Sequence, residues 1–261
     1  FSATLLESCS IEFIEKLKYL RKKYGFSIIC DEVYCAWYKC GKLFYFQNFE
    51  NFIPDILTLS KSMGGGKSSI SAYIANENLH DKVYGSINNA FLHTTTYNGF
   101  GEECATAIEA INILIEEDFQ TKVNSIESHI KENLKKIVKK FPKKIKGFKG
   151  QGALFGIEFN SPLDFFSNLL ENVDLKSINN KKKLISKLYI ATISDELFKK
   201  YNIMTNISES DNSDFLYISP SLIAKNEHID YFFECLSKIL NEKIDFKLPK
   251  YLFKSVLNLL K

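Results

Sequence analysis

The first sixty residues combine one helical pattern with two short apolar runs. Apolar side chains recur at helical spacing from Ile11 to Tyr24, and this pattern predicts a helix with Ser10 as its N-cap and Gly25 at its end. Continuous apolar runs follow at residues 26–30 and 56–59, each stopped by polar residues. Runs of this length predict strands that are buried on both faces, as in parallel sheets.

A third apolar run at residues 70–75 follows three glycines and precedes two further helical patterns. One apolar helix face is predicted at Cys104, Ile108, Ile111 and Ile115, and another at Val123, Ile126, Ile130, Leu134 and Ile137. Strands that alternate with helices are typical of an α/β domain with a mostly parallel sheet. We expect this large domain to occupy residues 1–142, since Pro142 ends the last helical pattern.

After Pro142 the pattern indicates a smaller α+β domain over residues 143–243. We predict strands at 153–159 and 215–219, an exposed loop at 177–183, a helix at 184–200, and a last amphipathic helix whose apolar face holds Ile229, Phe232, Phe233, Leu236, Ile239 and Leu240. Residues 244–261 are expected to form a further helix or the start of another segment.

The charge and the cysteine content narrow the class of protein. A net charge of +3 without a basic stripe argues against nucleic-acid binding. The six cysteines include no CxxC pair, so neither a metal site nor a small disulfide framework is expected. Free thiols without a secretory signal favour a reducing, cytoplasmic location. The apolar runs are shorter than the roughly 20 residues that span a bilayer, so no membrane span is expected.

Three polar features lie at predicted strand ends or in a turn. Asp31 and Glu32 follow the first strand, Ser60 and Lys61 follow the second, and residues 93–99 form a hydroxyl-rich turn before a helix. Ligands of open α/β sheets bind at the carboxyl ends of strands, and such a turn can bind an anion. Taken singly, these features are more often a helix cap, a surface lysine and a capping loop. Together they are the acid, amine and anion site that pyridoxal phosphate (PLP) requires.

Several motifs occur in a characteristic order. They are Asp31-Glu32-Val33, Gly41-Lys42-Leu43-Phe44, the segment 54–61 ending in Ser60-Lys61, glycines 64–66, the segment 93–99, Gly150-Gln151-Gly152 with Gly156-Ile157-Glu158, and Ser219-Pro220. This order resembles the class III aminotransferases, which are fold-type I PLP enzymes. The resemblance runs from about residue 11 to 240, and residues 31–99 are its most specific part.

The resemblance implies roles for the matching positions. Asp31 pairs with the pyridine nitrogen of PLP, while Lys61 forms the Schiff base and then serves as acid and base in proton transfer. Thr96, with Thr95 beside it, contacts the phosphate of the cofactor bound by the neighbouring subunit. The implied protein is a homodimer with its sites at the interface, and it moves an amino group between an amine or amino acid and an oxo acid.

Departures from the family pattern concern the cofactor and the substrate. Tyr34 stands where the family usually has a glutamine that contacts the cofactor's phenolic oxygen, so Tyr34 is the expected contact here. Residues 35–41 read Cys-Ala-Trp-Tyr-Lys-Cys-Gly in place of the usual Thr-Gly-Phe-Gly-Arg-Thr-Gly. Tyr217 stands about where many members carry an arginine for the substrate carboxylate, and the only arginine is Arg21. The substrate is then an unusual amine, or its anchor lies outside this chain.

The resemblance also implies a long region ahead of Phe1, which supplies the family's phosphate loop and an aromatic that stacks on the cofactor. Two alternatives to the aminotransferase stay open. An aminomutase of the glutamate-semialdehyde type uses the same aspartate and lysine. A degenerate, non-catalytic chain that serves as a folded partner is the other, although intact Asp31, Lys61 and Thr96 argue against it.

Overall fold

The computed structural model of the 261-residue chain describes residues 1–89, 91–99, 101–160, 178–207 and 214–242, with the side chains of 178–185 left out. Its contacts form two compact units: unit 1 comprises Phe1–Ala3 and Glu7–Asn124, and unit 2 comprises Thr4–Leu6 and Ser125–Lys261. The division lies within a helix, ahead of Pro142. The expected domain limits stay a prediction, because compact contact units need not coincide with domains.

Unit 1 contains a small sheet with helices. Its elements are α1 (Ile11–Tyr24), β1 (Ile29–Asp31), a 3-10 helix (Tyr45–Asn48), β2 (Ile56–Leu59), a second 3-10 helix (Lys61–Gly64), β3 (Ala72–Ala75), α2 (Glu77–Tyr84), a third 3-10 helix (Ile87–Asn89), α3 (Gly101–Glu116) and the start of α4 (Phe119–Lys140). The mixture of helices and strands confirms the α/β class.

Helix α1 has the limits that its sequence predicts. The Ser10 hydroxyl accepts a hydrogen bond from the Phe13 N–H at 3.2 Å, which satisfies one of the free donors of the first turn. Gly25 ends the helix in the left-handed conformation with φ 70°, and its N–H bonds to the carbonyl of Arg21. A residue without Cβ adopts this conformation at no steric cost.

The sheet of unit 1 has the order β1-β2-β3, with β1 parallel to β2 and β3 antiparallel to β2. The prediction that the first strand is buried on both faces is wrong, because Ile29 is 61% exposed. Ile29 belongs to an outer strand of the described sheet, where no further strand covers it. The inner strand comes closer to the prediction, since Leu57 and Leu59 are buried.

The face of α3 that is buried also differs from the prediction. Ile108 is 59% exposed, whereas Ala107 and Leu114 are buried. The backbone at Gly65 approaches this helix closely, because a Cβ built on Gly65 would lie 3.0 Å from the Cβ of Ala110. Where a glycine turn approaches a helix closely, small side chains are favoured on the buried helix face. A prediction based on large apolar residues does not detect such a face.

Unit 2 contains a three-stranded antiparallel sheet in the order β4-β5-β6, together with helices. Its elements are the remainder of α4, then β4 (Ile145–Gln151), β5 (Leu154–Phe159), α5 (Ile178–Tyr201), β6 (Phe215–Ile218) and α6 (Asn226–Asn241). The predicted apolar faces of α4 and α6 are buried, and one of these residues, Val123, belongs to unit 1. The others form one hydrophobic cluster together with residues of β5, β6 and α5.

One prediction in this half is wrong, and one strand was not predicted. Strand β4 was not predicted, because lysines and glycines interrupt its apolar residues. The predicted loop at 177–183 lies within α5 from residue 178 onward, since lysine favours helices when no packing opposes it. The predicted tail at 244–261 lies outside the described residues. No helix in the described part of the chain has the length and apolarity needed to cross a membrane.

Candidate functional site

Asp31 and Lys61 lie at the same edge of the unit 1 sheet. Asp31 is the last residue of β1, and Lys61 follows the end of β2 by two positions. Because β1 and β2 are parallel neighbours, their carboxyl ends meet at one edge of the sheet. This is the edge at which open α/β sheets bind ligands.

The Asp31 carboxylate is fixed through one of its two oxygens. Its Oδ1 accepts a hydrogen bond from the Thr58 hydroxyl at 3.0 Å and another from the Val33 N–H at 3.1 Å. Thr58 is the register partner of Asp31 across the parallel pair. The side chain is exposed, and no partner of Oδ2 is found among the described residues. Oδ1 is therefore held in place by two hydrogen bonds, and Oδ2 is open to a donor.

Glu32, the next residue, is buried away from this edge. It is 3% exposed, and its carboxylate accepts hydrogen bonds from the backbone N–H groups of Tyr45 and Phe46 at the start of a 3-10 helix. Burial raises the pKa of Glu32, and the two backbone hydrogen bonds oppose that rise. Asp31 and Glu32 thus have separate environments, and Glu32 has a structural role because it holds the start of the 3-10 helix.

Lys61 starts a 3-10 helix in an unusual backbone conformation. Its φ is 50°, a left-handed value that costs a residue other than glycine free energy and that is concentrated at functional sites. The preceding Ser60 hydroxyl donates a hydrogen bond to the Ile70 carbonyl at 3.1 Å. The side chain of Lys61 is exposed, and its Nζ lies 5.1 Å from the centroid of the Tyr34 ring.

In the threonine turn, the Thr95 side chain has its partner within the turn itself. The Thr95 hydroxyl donates to Oδ1 of Asn98 at 3.1 Å, so it is engaged within its own turn. Thr96 is exposed. Within the described residues, no hydrogen bond or ring contact joins Thr95 or Thr96 to Asp31 or Lys61.

The loop after Tyr34 is held by its backbone. Trp37 and Tyr38 both have left-handed φ values, 58° and 62°, and their N–H groups bond to the carbonyls of Leu43 and Lys42. Tyr38 stacks on Phe119 with ring centroids 6.3 Å apart. The family usually has glycine where Tyr38 stands, which fits a left-handed position. Packing therefore maintains here a backbone that glycine adopts without strain.

This loop also buries groups that are normally polar or reactive. Burial raises the pKa of Cys35 to about 12 and also raises that of Cys40. Burial lowers the pKa of Lys39 to about 8. Thiols with raised pKa values are poor nucleophiles, so these cysteines act as packing groups. All six cysteines of the chain are free.

Two residues bear on the binding of a substrate carboxylate, Arg21 and Tyr217. The Arg21 side chain already has partners in unit 1, and Tyr217 lines a cavity in unit 2. Arg21 donates to the Ile53 carbonyl at 2.7 Å and pairs with Asp55 at 3.3 Å. Tyr217 of unit 2 lines a cavity of about 160 Å³ whose other walls include Met204 and His228. The single arginine thus stabilises unit 1, and no guanidinium of this chain is available as a clamp.

The groups at the sheet edge suit PLP. An amine in an exposed position can bind an aldehyde, and the open oxygen of Asp31 can accept a hydrogen bond from a protonated pyridine nitrogen. No group of three or more His, Cys, Asp or Glu residues with metal-binding geometry is found within the described ranges. The exposed amine of Lys61 and the open oxygen of Asp31 are the groups that fit an organic aldehyde cofactor.

Sequence reasoning missed Thr58 and the contact between Lys61 and the Tyr34 ring. Thr58 was visible as a polar residue within the apolar run 56–59, but its link to Asp31 depends on the register of β1 and β2. The ring contact depends on side-chain rotamers and has no sequence signal.

Known proteins resemble this chain over most of its length. The family model for class-III aminotransferases matches residues 7–240. An uncharacterized aminotransferase of Schizosaccharomyces pombe is 27% identical over 211 residues, which cover 81% of this chain and 40% of that protein. The solved ornithine aminotransferase of Plasmodium yoelii is 25% identical with a TM-score of 0.66, and covers 88% of this chain and 52% of its own.

A Bacillus anthracis aminotransferase of known structure matches with a TM-score of 0.72 at 22% identity, over 89% of this chain and 48% of its own. At that identity the likeness shows the fold alone. The chain thus spans about half the length of these solved structures and less than half of the fission-yeast relative.

Proposed function

The chain belongs to the class III aminotransferase family, and we propose that it is part of an enzyme that moves an amino group between an amine or amino acid and an oxo acid. Members of this family depend on PLP. The observation that carries the proposal is the placement of Asp31 and Lys61 at the carboxyl ends of two parallel neighbouring strands. Neither an aminomutase nor a non-catalytic partner is favoured by any feature of the site.

In this proposal Asp31 and Lys61 have complementary roles. PLP, when bound, supplies an electron sink for the substrate carbanion. Asp31 uses its open Oδ2 to accept the pyridinium N–H, while Thr58 and the Val33 N–H hold Oδ1. Lys61 holds the cofactor through Nζ and then carries a proton on the same atom during transfer.

The phosphate contact and the assembly are proposals of the same kind. Thr96, exposed on its turn, is proposed to bind the phosphate of a cofactor held by a second copy of the chain, with Thr95 supporting the turn through Asn98. The protein is then a homodimer with shared sites. A cytoplasmic location is proposed as well, and the free state of all six cysteines supports it.

The amino donor is proposed to bind without a guanidinium from this chain. Arg21 is engaged by Asp55 and by a backbone carbonyl, which supports this part of the proposal. A donor amine that lacks a carboxylate, or an anchor on another part of the protein, satisfies the same requirement.

Spectroscopy of the full-length protein tests the proposal. Added PLP is expected to give an absorbance band near the visible edge, which borohydride removes by fixing a pyridoxyl group on Lys61, identified by peptide mapping. Lys61→Ala should abolish the band and the transfer of amino groups to an oxo acid. Lys67→Ala is the matched control, because Lys67 is an exposed lysine of the same turn. Labelling of another lysine, or activity that survives Lys61→Ala, would refute the proposal.

A further inference from the structure

Tyr34 lies beneath the side chain of Lys61. The Lys61 Nζ is 5.1 Å from the ring centroid, within the roughly 6 Å over which an aromatic face attracts a cation. The ring of Tyr34 is half-buried while the side chain of Lys61 is exposed, so the ring packs partly against the protein and the amine stays open to solvent. Tyr34 is the first residue of the segment in which the chain departs from the family pattern.

No carboxylate takes the place of the ring as the partner of Lys61. The ion pairs of the described residues do not include Lys61, and its Nζ donates no hydrogen bond within that part of the chain. Asp31 lies on the same sheet edge, but its recorded hydrogen bonds go to Thr58 and Val33. The face of Tyr34 is therefore the group that holds the Lys61 ammonium.

We propose that Tyr34 is a positioning residue whose ring face holds the Nζ of Lys61 while that amine is protonated and not bonded to the cofactor. The proposal rests on the proposed function, because an acid–base lysine must leave the cofactor and carry a proton for part of each cycle. A cation placed over the ring is held at the sheet edge without forming an ion pair. The hydroxyl of Tyr34 has no part in this role.

The test measures covalent labelling of Lys61 by trinitrobenzenesulfonate in the cofactor-free, full-length protein, followed by peptide mapping. The reagent attacks the neutral amine, so loss of a group that favours the ammonium raises the rate near neutral pH. Tyr34→Leu is expected to label Lys61 about two- to five-fold faster, given the usual strength of an exposed cation–π contact. Tyr34→Phe keeps the ring face and should label at the native rate. Tyr34→Gln should behave like the leucine variant.

A second pair provides a matched control. Lys16 lies over the Tyr19 ring at 5.2 Å on the same unit, and Tyr19 is 55% exposed. Tyr19→Leu should raise the labelling of Lys16 and leave Lys61 unchanged. At alkaline pH, where lysine amines are mostly neutral, native protein and Tyr34→Leu should label Lys61 at the same rate.

The outcomes separate this proposal from the function itself. Equal labelling in native protein and Tyr34→Leu would overturn it, and so would a Tyr34→Phe variant that behaves like Tyr34→Leu. A rate difference that persists at alkaline pH would mean that the ring only shields Lys61, which also overturns it. Failure of native protein to form a borohydride-fixed PLP adduct would refute the proposed function, whereas the labelling comparison needs no cofactor.

Discussion

Thr58→Val removes the hydroxyl that orients Asp31 and changes little else. Valine has nearly the same shape and also favours strands, so β2 should keep its pairing. The lost interaction is the 3.0 Å hydrogen bond to Oδ1 of Asp31. Val33 still donates to the same oxygen, so the carboxylate keeps one of its two anchors.

The expected loss follows from the setting of this bond. A hydrogen bond to a charged group contributes about 1.5–3 kcal/mol, and we halve this because Asp31 is exposed to solvent. Roughly 0.7–1.5 kcal/mol corresponds to a three- to twelve-fold weaker affinity for PLP, since about 1.4 kcal/mol is tenfold. The cost appears in cofactor binding because the freed carboxylate must be reoriented to meet the pyridinium.

The assay is a titration of the cofactor-free protein with PLP, followed by absorbance, together with urea unfolding. Thr106→Val is the control, because the Thr106 hydroxyl bonds to the Glu102 carbonyl of its own helix and to no other group among the described residues. Unchanged PLP affinity in Thr58→Val would refute the assignment of Thr58. A loss of affinity that parallels a loss of secondary structure would refute the claim that the change is local.

Three further predictions concern the fold, pH dependence and assembly. Gly25→Ala should lower the free energy of unfolding by about 1 kcal/mol, because φ is 70° and no atom lies near the new methyl group; Gly147→Ala, equally open but without a positive φ, should not lower it. The pKa of Glu32 is raised in the folded state, so its contribution to stability is fully present below its ordinary value of 4.5 and is lost as pH rises through the folded value. Urea unfolding should accordingly show the stability of native protein falling relative to Glu32→Gln as the pH rises above about 4.5 and passes through the raised folded pKa, and a parallel pair of curves would contradict the burial argument. Thr96→Val should weaken PLP retention without altering unfolding, measured by dialysis and circular dichroism, and full retention would count against Thr96 as the phosphate contact across a dimer.

The sequence predicted most reliably the elements whose partners lie close along the chain or in one core. Helix α1 is specified by Ser10 and Gly25 themselves, and the apolar faces of α4 and α6 are long enough to dominate their packing. The buried faces of strand β1 and helix α3 were harder to predict, because an apolar residue is buried only if another element covers it. Ile29 and Ile108 have no such cover among the described residues.

The same distinction applies to the site. Asp31 and Lys61 were located by the rule that ligands meet strand ends, which needs only the position of each strand. That rule could not find the other two contacts. The hydrogen bond from Thr58 to Asp31 depends on the register of β1 and β2, and the contact of Lys61 with the Tyr34 ring depends on side-chain rotamers. Roles assigned through the resemblance, such as that of Thr96, stay predictions.

The adjacent acids Asp31 and Glu32 link the chemistry of the site to the loop that departs from the family. Successive side chains at a strand end point to opposite sides, so one acid reaches the sheet edge while the next is buried. Glu32 holds the backbone N–H groups of Tyr45 and Phe46, just after the segment that carries Tyr34. Within that segment, left-handed Tyr38 is retained by stacking on Phe119. The buried acid thus anchors the chain just after the segment and the stacked ring holds its middle, while the ring of Tyr34, its first residue, faces Lys61. The hydrogen bonds of Asp31 involve none of these groups, so the proposed role of Tyr34 leaves them intact.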